Sequence, residues 1–365
     1  MTFNSFPISG NIYLLAYGIA LFLSFTLTFF LIRLTSESKT AVNLLHKWNL
    51  FEERGIGPFG GVAVILSFFL TLWVFIAAGL VDRGNTNLYL VLTLGTGLMF
   101  LLGIIDDIYN CRPRIKLIFQ IAIAVILYFS GFQIERIGDF IELRQFSILL
   151  TILWIVGITN SLNLIDGMDG LASGIVFFSC LTLIFIYMDR EIIEASFLAV
   201  ILAGSVLGFF FFNLPPARII LGDTGSLPLG LLIALITLLP LNQGYTDEIY
   251  YIIPVVTLLI PIMDTTFSFF RRLFKGISPF SKDAEHFHHR LQKLGLSSPK
   301  AIWLLFGIGF YFDMTAMVPS FHITLILHFI PIYFIFIILN IIFLVYLLRR
   351  SEKKHKFRFS TERIS

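Results

Sequence analysis

The sequence predicts an all-α integral membrane protein with about eleven transmembrane helices, and three observations support this. Of its 365 residues, 57% are hydrophobic and only 13% are charged, whereas soluble domains average about half and about a quarter. The mean hydropathy is +0.89. The apolar residues fall in runs of about 20, the length that a helix needs to cross the hydrocarbon core. This composition excludes a disordered chain, a disulfide-rich secreted domain and a water-soluble nucleic-acid-binding protein.

Eleven apolar runs define the predicted spans. They cover about 11–32, 60–80, 88–105, 115–132, 146–162, 171–188, 194–213, 225–241, 249–270, 300–318 and 323–348. These runs predict one membrane domain, 1–348, whose main polar loops are about 33–59, 106–114, 160–170, 214–224 and 271–299. A basic tail, 349–365, follows. We expect this tail to contact anionic lipid rather than nucleic acid. The two cysteines lack a CxxC spacing, so we expect no disulfide and no zinc site.

The distribution of positive charge predicts the orientation. Most of the 26 Lys and Arg residues lie in the loops after odd-numbered spans or in the tail, and the four exceptions are Arg83, Arg136, Arg144 and Arg190. Cytoplasmic loops of membrane proteins carry the excess of Lys and Arg. We therefore expect the N terminus outside the cell, and the odd-numbered loops and the C terminus in the cytoplasm.

Four polar clusters follow odd-numbered spans, so they share the predicted cytoplasmic face. Asp106 and Asp107 close the third span in GIIDDIYN. The segment NSLNLIDGMDGLASG follows the fifth span, GDTGS with Asp223 follows the seventh, and DAEHFHHRL follows the ninth. Because polar and charged groups near the bilayer are costly, four such clusters on one face favour a single shared site.

Asp106 and Asp107 are the most informative pair. Adjacent carboxylates repel each other, and the C-terminal end of a helix disfavours negative charge. Their flanking residues are apolar, which limits solvation. A divalent cation or a cationic partner would relieve this cost, and Mg²⁺ takes one or two carboxylate oxygens together with substrate phosphates.

The other three clusters suit phosphate and metal chemistry. Asn160, Asn163, Asp166 and Asp169 recur in three-residue steps, which places them on one face where the turn is helical. The GDTGS segment precedes a predicted helix N terminus, a position that favours phosphate. The histidines of DAEHFHHRL lack the spacing of a zinc site, and the basic residues around them suit a polyphosphate. Helix capping explains one or two of these residues but less easily the whole set.

Taken in order, four motifs resemble those of the polyprenyl-phosphate N-acetylhexosamine-1-phosphate transferases. They are GIIDDIYN, NSLNLIDGMDGLASG, NLPPARIILGDTGSLPLG and SPFSKDAEHFHHRLQKLGLS, within about Gly60 to Ser298. The resemblance implies about eleven spans in a bacterial cytoplasmic membrane, with the active site on the cytoplasmic face. It also implies transfer of a sugar-1-phosphate from a UDP-N-acetylhexosamine to undecaprenyl phosphate with release of UMP. The implied cofactor is Mg²⁺, or alternatively Mn²⁺, and a homodimer is left open.

The resemblance further implies roles for individual residues. Asp106, Asp107 and His289 are the expected catalytic residues, the two acids activating the lipid phosphate or assisting the metal. Asp107 and Asp223 are the expected metal ligands. The expected substrate-binding residues are Asn160, Asn163, Asp166, Asp169, Asn213, His286, His288 and Arg290.

Some positions and functions stay open from the sequence alone. Many family members have an acid or a lysine where Asn110 stands, and Asp264 either pairs with a basic loop residue or reaches the site. The histidine segment favours a UDP-GlcNAc-type donor for surface polysaccharide over the muramoyl-pentapeptide nucleotide of peptidoglycan synthesis. A cation-coupled transporter would place acids near mid-membrane, yet only Asp264 and Asp313 lie away from the ends of the predicted spans. A lipid-binding scaffold would leave the four motifs unexplained.

Overall fold

The computed structural model describes residues 10–37, 57–138, 141–247, 249–276 and 286–317. Over these ranges the chain forms twelve α-helices and one short β-hairpin. The helices are α1 (Gly10–Glu37), α2 (Gly60–Ala77), α3 (Thr86–Tyr109), α4 (Pro113–Phe129), α5 (Ser147–Ile165), α6 (Leu171–Asp189), α7 (Ile193–Asn213), α8 (Asp223–Asn242), α9 (Ile249–Thr257), α10 (Leu259–Phe274), α11 (Phe287–Lys293) and α12 (Ser298–Met317). The antiparallel hairpin of β1 (Arg136–Ile137) and β2 (Ile141–Glu142) connects α4 to α5.

The prediction of an all-α membrane protein is confirmed at the level of the architecture. By length and composition, seven helices of the described part could cross a membrane, or eight if α9 and α10 form one span. A described helix occupies ten of the eleven predicted runs. The last run, 323–348, and the tail, 349–365, lie outside the described residues. The count of eleven spans and the orientation of the termini stay predictions.

The ninth predicted run, 249–270, is not the single straight helix that we expected. Helices α9 and α10 meet at Leu258 with a bend of 73°. Pro261, near the start of α10, explains the break, because proline has no N–H to bond the carbonyl four residues earlier and its ring crowds that carbonyl. That carbonyl, of Thr257, accepts a hydrogen bond from Ser179 Oγ of α6 at 3.1 Å. A side chain of a neighbouring helix thus stabilises the bend.

Helix α8 lies at the centre of the bundle. It packs against α2, α3, α5 and α7. Almost all of its residues are buried, and its sequence is accordingly apolar on every side rather than on one stripe. Burial on all sides fixes the position of its first residue, Asp223, relative to the ends of the surrounding helices.

Two glycines allow other helices to approach the start of α8 closely. A Cβ at Gly103 of α3 would lie 2.3 Å from the carbonyl oxygen of Asp223, and a Cβ at Gly61 of α2 would lie 2.2 Å from the Cα of Gly225. No residue other than glycine fits such backbone contacts without a shift. The backbone amides of Gly60 and Gly61 also donate to the carbonyls of Ile220 and Leu221, at 2.9 and 3.1 Å. The start of α2, the motif-bearing end of α3 and the start of α8 are therefore held together.

Candidate active site

Asp107 binds the N terminus of α8. Its Oδ1 accepts a hydrogen bond from the backbone N–H of Asp223 at 2.9 Å. Its Oδ2 accepts from the backbone N–H and the hydroxyl of Thr224, at 2.8 and 2.5 Å. The N terminus of a helix carries partial positive charge and unpaired N–H groups, so it stabilises a carboxylate. This contact explains how one of two adjacent acids is tolerated at the end of an apolar helix.

Asp106 is stabilised differently, by the turn that follows it and by a lysine. Its Oδ1 accepts from the backbone N–H of Cys111 at 2.9 Å, and its Oδ2 pairs with Lys116 Nζ at 2.9 Å. Asn110 caps α3 in the left-handed conformation, with φ 52°, and Pro113 begins α4. The chain changes direction between α3 and α4, and this brings Lys116 close to Asp106. Desolvation and the negative charge of Asp106 raise the pKa of the Cys111 thiol in this turn.

Lys116 is the centre of the cluster. Besides Asp106, its ammonium contacts Oδ2 of Asp223 and lies 3.3 Å from Oδ1 of Asn163. The side chains of Lys116 and Asp106 are only 13% exposed, and that of Asp223 is 25% exposed. Asn163 Nδ2 donates to Asp223 Oδ1 at 2.7 Å and to Ser226 Oγ at 2.9 Å. Four helices, α3, α4, α5 and α8, thus each contribute a polar side chain to one point.

Sequence reasoning missed Lys116, which counted only as one of the basic residues of a loop. A signal was present, because Lys116 is the second residue of the apolar run 115–132. A lysine within such a run is costly unless it finds a partner or serves a function. Its position inside the run could have singled it out from Arg112 and Arg114.

The oxygen atoms of this cluster fit a divalent cation. Asp106 Oδ2, Asp223 Oδ2 and Asn163 Oδ1 converge on one position, where the Lys116 ammonium lies. Carboxylate and amide oxygens are hard ligands suited to Mg²⁺, which normally completes its shell with water and phosphate. Both oxygens of Asp107, by contrast, are bound to α8. Among the described residues no three His, Cys, Asp or Glu side chains form a metal site by themselves.

Asp169 and Asn213 connect two loops next to the cluster. Asp169 Oδ2 accepts from the backbone N–H of Ala217 at 3.1 Å. The buried Asn213 accepts from the backbone N–H of Gly170 at 3.0 Å and donates to the carbonyl of Ile219 at 3.0 Å. These bonds fix the turn between α5 and α6 against the segment before α8. The structure therefore places both residues in the frame of the site, and their predicted substrate contacts stay predictions.

The remaining predicted residues of α5 lie on either side of Asn163. Asn160, one turn earlier, donates to Gln120 Oε1 of α4 at 2.7 Å and to the carbonyl of Val156 at 2.8 Å. Asp166 directly follows the last residue of α5 and caps its C-terminal end. Asn163 is the predicted binding residue of α5 that bonds directly to Asp223 of the acid cluster.

The histidine segment is organised by α10. His286 is 5% exposed, and its Nδ1 lies 2.8 Å from Oδ2 of the buried Asp264. Phe287, His288, His289 and Arg290 begin α11, and Arg290 is exposed there. The side chains of His288 and His289 lie outside the part of the chain that the structure describes. For Asp264, which the sequence left open, the structure shows a pair with a histidine of the predicted loop 271–299, His286.

Comparisons with known proteins identify the family of the chain. The model described as glycosyl transferase family 4 matches residues 89–240, the region from α3 to α8 that contains the whole acid cluster. A probable undecaprenyl-phosphate N-acetylglucosaminyl 1-phosphate transferase of Bacillus subtilis is 35% identical over 256 residues, covering 68% of this chain and 71% of the relative. The chain belongs to glycosyl transferase family 4. The family resemblance predicted from the four motifs is thereby confirmed.

Other relatives of the chain carry two kinds of name. An undecaprenyl-phosphate alpha-N-acetylglucosaminyl 1-phosphate transferase of Thermotoga maritima is 31% identical, over 74% of this chain and 79% of the relative. A phospho-N-acetylmuramoyl-pentapeptide-transferase of Prochlorococcus marinus is 30% identical, over 76% of this chain and 84% of the relative. The two names correspond to the two donor classes that the sequence left open.

Proposed function

We propose that this protein transfers N-acetylglucosamine-1-phosphate from UDP-GlcNAc to undecaprenyl phosphate, releasing UMP and starting the synthesis of a lipid-linked surface polysaccharide. The observation that carries the proposal is the convergence of Asp106, Asn163, Asp223 and Lys116 at one end of the bundle. These four residues lie within the region 89–240 that the family model matches. Two relatives of the chain are named undecaprenyl-phosphate N-acetylglucosaminyl 1-phosphate transferases.

The reaction brings two phosphorylated molecules together, so its main requirement is to offset negative charge. An oxygen of the lipid phosphate attacks the phosphorus that bears the sugar, the diphosphate bond of the donor breaks, and UMP leaves. We favour this direct attack over a covalent intermediate on Asp106. Lys116 can move from its carboxylate partners to a phosphate oxygen, since an ammonium binds both as a point charge. Bound Mg²⁺, or Mn²⁺, would supply further charge neutralisation at the same oxygens.

We place the site on the cytoplasmic face of the bacterial inner membrane. The cluster is formed where α3 and α5 end and where α4 and α8 begin, so it lies at one end of the bundle. The loops on this side carry most of the positive charge of the chain. A site at the ends of spans meets a lipid acceptor from the bilayer and a water-soluble donor from the cytoplasm.

The proposal is tested with purified protein in detergent, undecaprenyl phosphate, Mg²⁺ and radiolabelled UDP-GlcNAc. We expect label in the lipid extract and equimolar UMP, and both should be lost with EDTA. The muramoyl-pentapeptide nucleotide, the donor class of the Prochlorococcus relative's name, is added as a competitor. Preferential use of that nucleotide would reassign the donor. Folded protein that labels no lipid with any UDP-N-acetylhexosamine would overturn the proposal.

A further inference from the structure

Helix α10 holds the start of α11 through one buried carboxylate. Asp264 is 2% exposed, and its Oδ2 lies 2.8 Å from His286 Nδ1. Its Oδ1 accepts from the backbone N–H of Phe287 at 2.7 Å. The rings of Phe267 and Phe287 pack edge to face with their centroids 5.9 Å apart, and Ser268 Oγ lies 3.5 Å from the same His286 nitrogen. Positions 264, 267 and 268 share one face of α10, so this face forms a docking site for the histidine segment.

Helix α11 depends on such a docking site for its position. It has only seven residues, and isolated helices of that length are not stable in water. Helix α10, which anchors it, packs against α5, the helix that carries Asn163 of the acid cluster. Helix α11 also packs against α12, so α10, through Asp264, and α12 together set where α11 lies relative to the acid cluster.

We propose that Asp264 is a positioning residue for the UDP-sugar: its carboxylate, through His286 and the Phe287 amide, holds His288, His289 and Arg290 in place for the donor. This inference rests on the proposed function. A carboxylate that accepts one bond from an imidazole and one from a backbone amide fixes both the ring and the direction of the chain. His286 directly precedes α11 and bonds to Asp264, so it links the position of α11 to that of α10.

The test compares Asp264→Ala, Asp264→Asn and His286→Ala with Asp313→Asn, a control at a buried acid of α12 outside the proposed site. In Asp264→Ala, kcat/KM for UDP-GlcNAc should fall ~10- to 100-fold, mainly through KM, because the donor-binding segment is misplaced. The KM for undecaprenyl phosphate should change little. Asp264→Asn retains an acceptor for the Phe287 amide and should lose less. The double variant Asp264→Ala/His286→Ala should be no worse than Asp264→Ala alone.

Hydrogen exchange of the α11 amides, residues 287–293, gives a measurement that does not depend on turnover. Asp264→Ala and His286→Ala should speed exchange there while α8 stays protected, and Asp313→Asn should leave α11 protected. The inference is overturned if α11 stays protected in Asp264→Ala, or if KM for both substrates rises equally. If the wild type transfers no sugar phosphate, the proposed function fails, and the exchange data still decide whether Asp264 holds α11.

Discussion

The acid cluster and the histidine segment are built in opposite ways. The cluster draws Asp106, Lys116, Asn163 and Asp223 from four long helices, and a close backbone contact holds α3 against the start of α8. The histidine segment contains a helix of seven residues, and Asp264 of α10 contacts both His286 and the first residue of that helix. The packing of the bundle core therefore preassembles the acid cluster, whereas the position of the histidine segment depends on a few side-chain contacts. Substitutions in the acid cluster and in the histidine segment should accordingly have effects on transfer that differ in size and in kind.

Asp223→Asn should have the largest effect. It keeps the shape of the side chain but removes the charge that faces Lys116, so transfer should fall about 1000-fold or more while the protein stays folded. The rate of label transfer to lipid, with a thermal unfolding curve for each protein, measures this. Asp247→Asn, an exposed acid beyond the opposite end of α8, is the control and should turn over like the wild type. Wild-type turnover in Asp223→Asn would remove this carboxylate from the mechanism.

Lys116→Met should cause the second-largest loss of transfer. It should also show whether a divalent cation binds at the oxygens around Lys116. The substitution leaves Asp106 and Asp223 without their ammonium, and breaking a buried pair costs about 3–5 kcal/mol, here at the lower end because Asp223 is 25% exposed. Transfer should fall about 100-fold. In EDTA the variant should melt at a lower temperature than the wild type. Mg²⁺ should raise the melting temperature of the variant by more than that of the wild type, because the cation takes the place of the ammonium.

The exposed Lys300→Met on α12 is the control for Lys116→Met and should match the wild type with and without Mg²⁺. An equal Mg²⁺-induced shift in Lys116→Met and in the wild type would contradict competition between the ammonium and the metal. It would then place the metal at oxygens other than those around Lys116.

Gly103→Ala tests whether the packing of α3 on α8 sets the acid cluster. The added Cβ would lie 2.3 Å from the Asp223 carbonyl, so α8 must shift, at a cost of about 1–3 kcal/mol in unfolding free energy. Transfer should fall about 10-fold, less than the ~100-fold loss expected for a 1 Å misplacement. Gly97→Ala is a matched control on the same helix, since nothing lies within 4 Å of its Cβ. Equal activity in the two variants would show that α8 adapts without moving Asp223.

Substitution of Asn110 should have the smallest effect. Because Asn110 ends α3 with φ 52° and ψ 62°, Asn110→Gly should be neutral, and Asn110→Ala should lose about 1 kcal/mol of unfolding free energy with nearly unchanged transfer. Chemical unfolding and the same transfer assay measure both. A large loss of transfer in Asn110→Gly would instead assign the side chain a chemical role.

Much of the site was predictable because its signals are local. Asp106, Asp107, Asn163 and Asp223 stood out in the sequence since polar residues next to apolar runs are costly and therefore rare. Their different roles were not predictable. The adjacent Asp106 and Asp107 look alike in the sequence, yet one pairs with Lys116 and the other caps α8. Which acid meets which partner depends on how the helices pack, and no local pattern encodes it.

The sequence by itself determined that the chain is a helical membrane protein and that it carries the motifs of its family, because hydropathy and motif order are properties of short segments. Only the tertiary structure decided the partners of the charged groups, the bend at Leu258 and the anchoring of α11 by Asp264. Lys116 and Asp223 are 107 residues apart, and Asp107 and Thr224 are 117 apart. Contacts over such separations follow from the close packing of α8 with its neighbours, which places distant residues at one point.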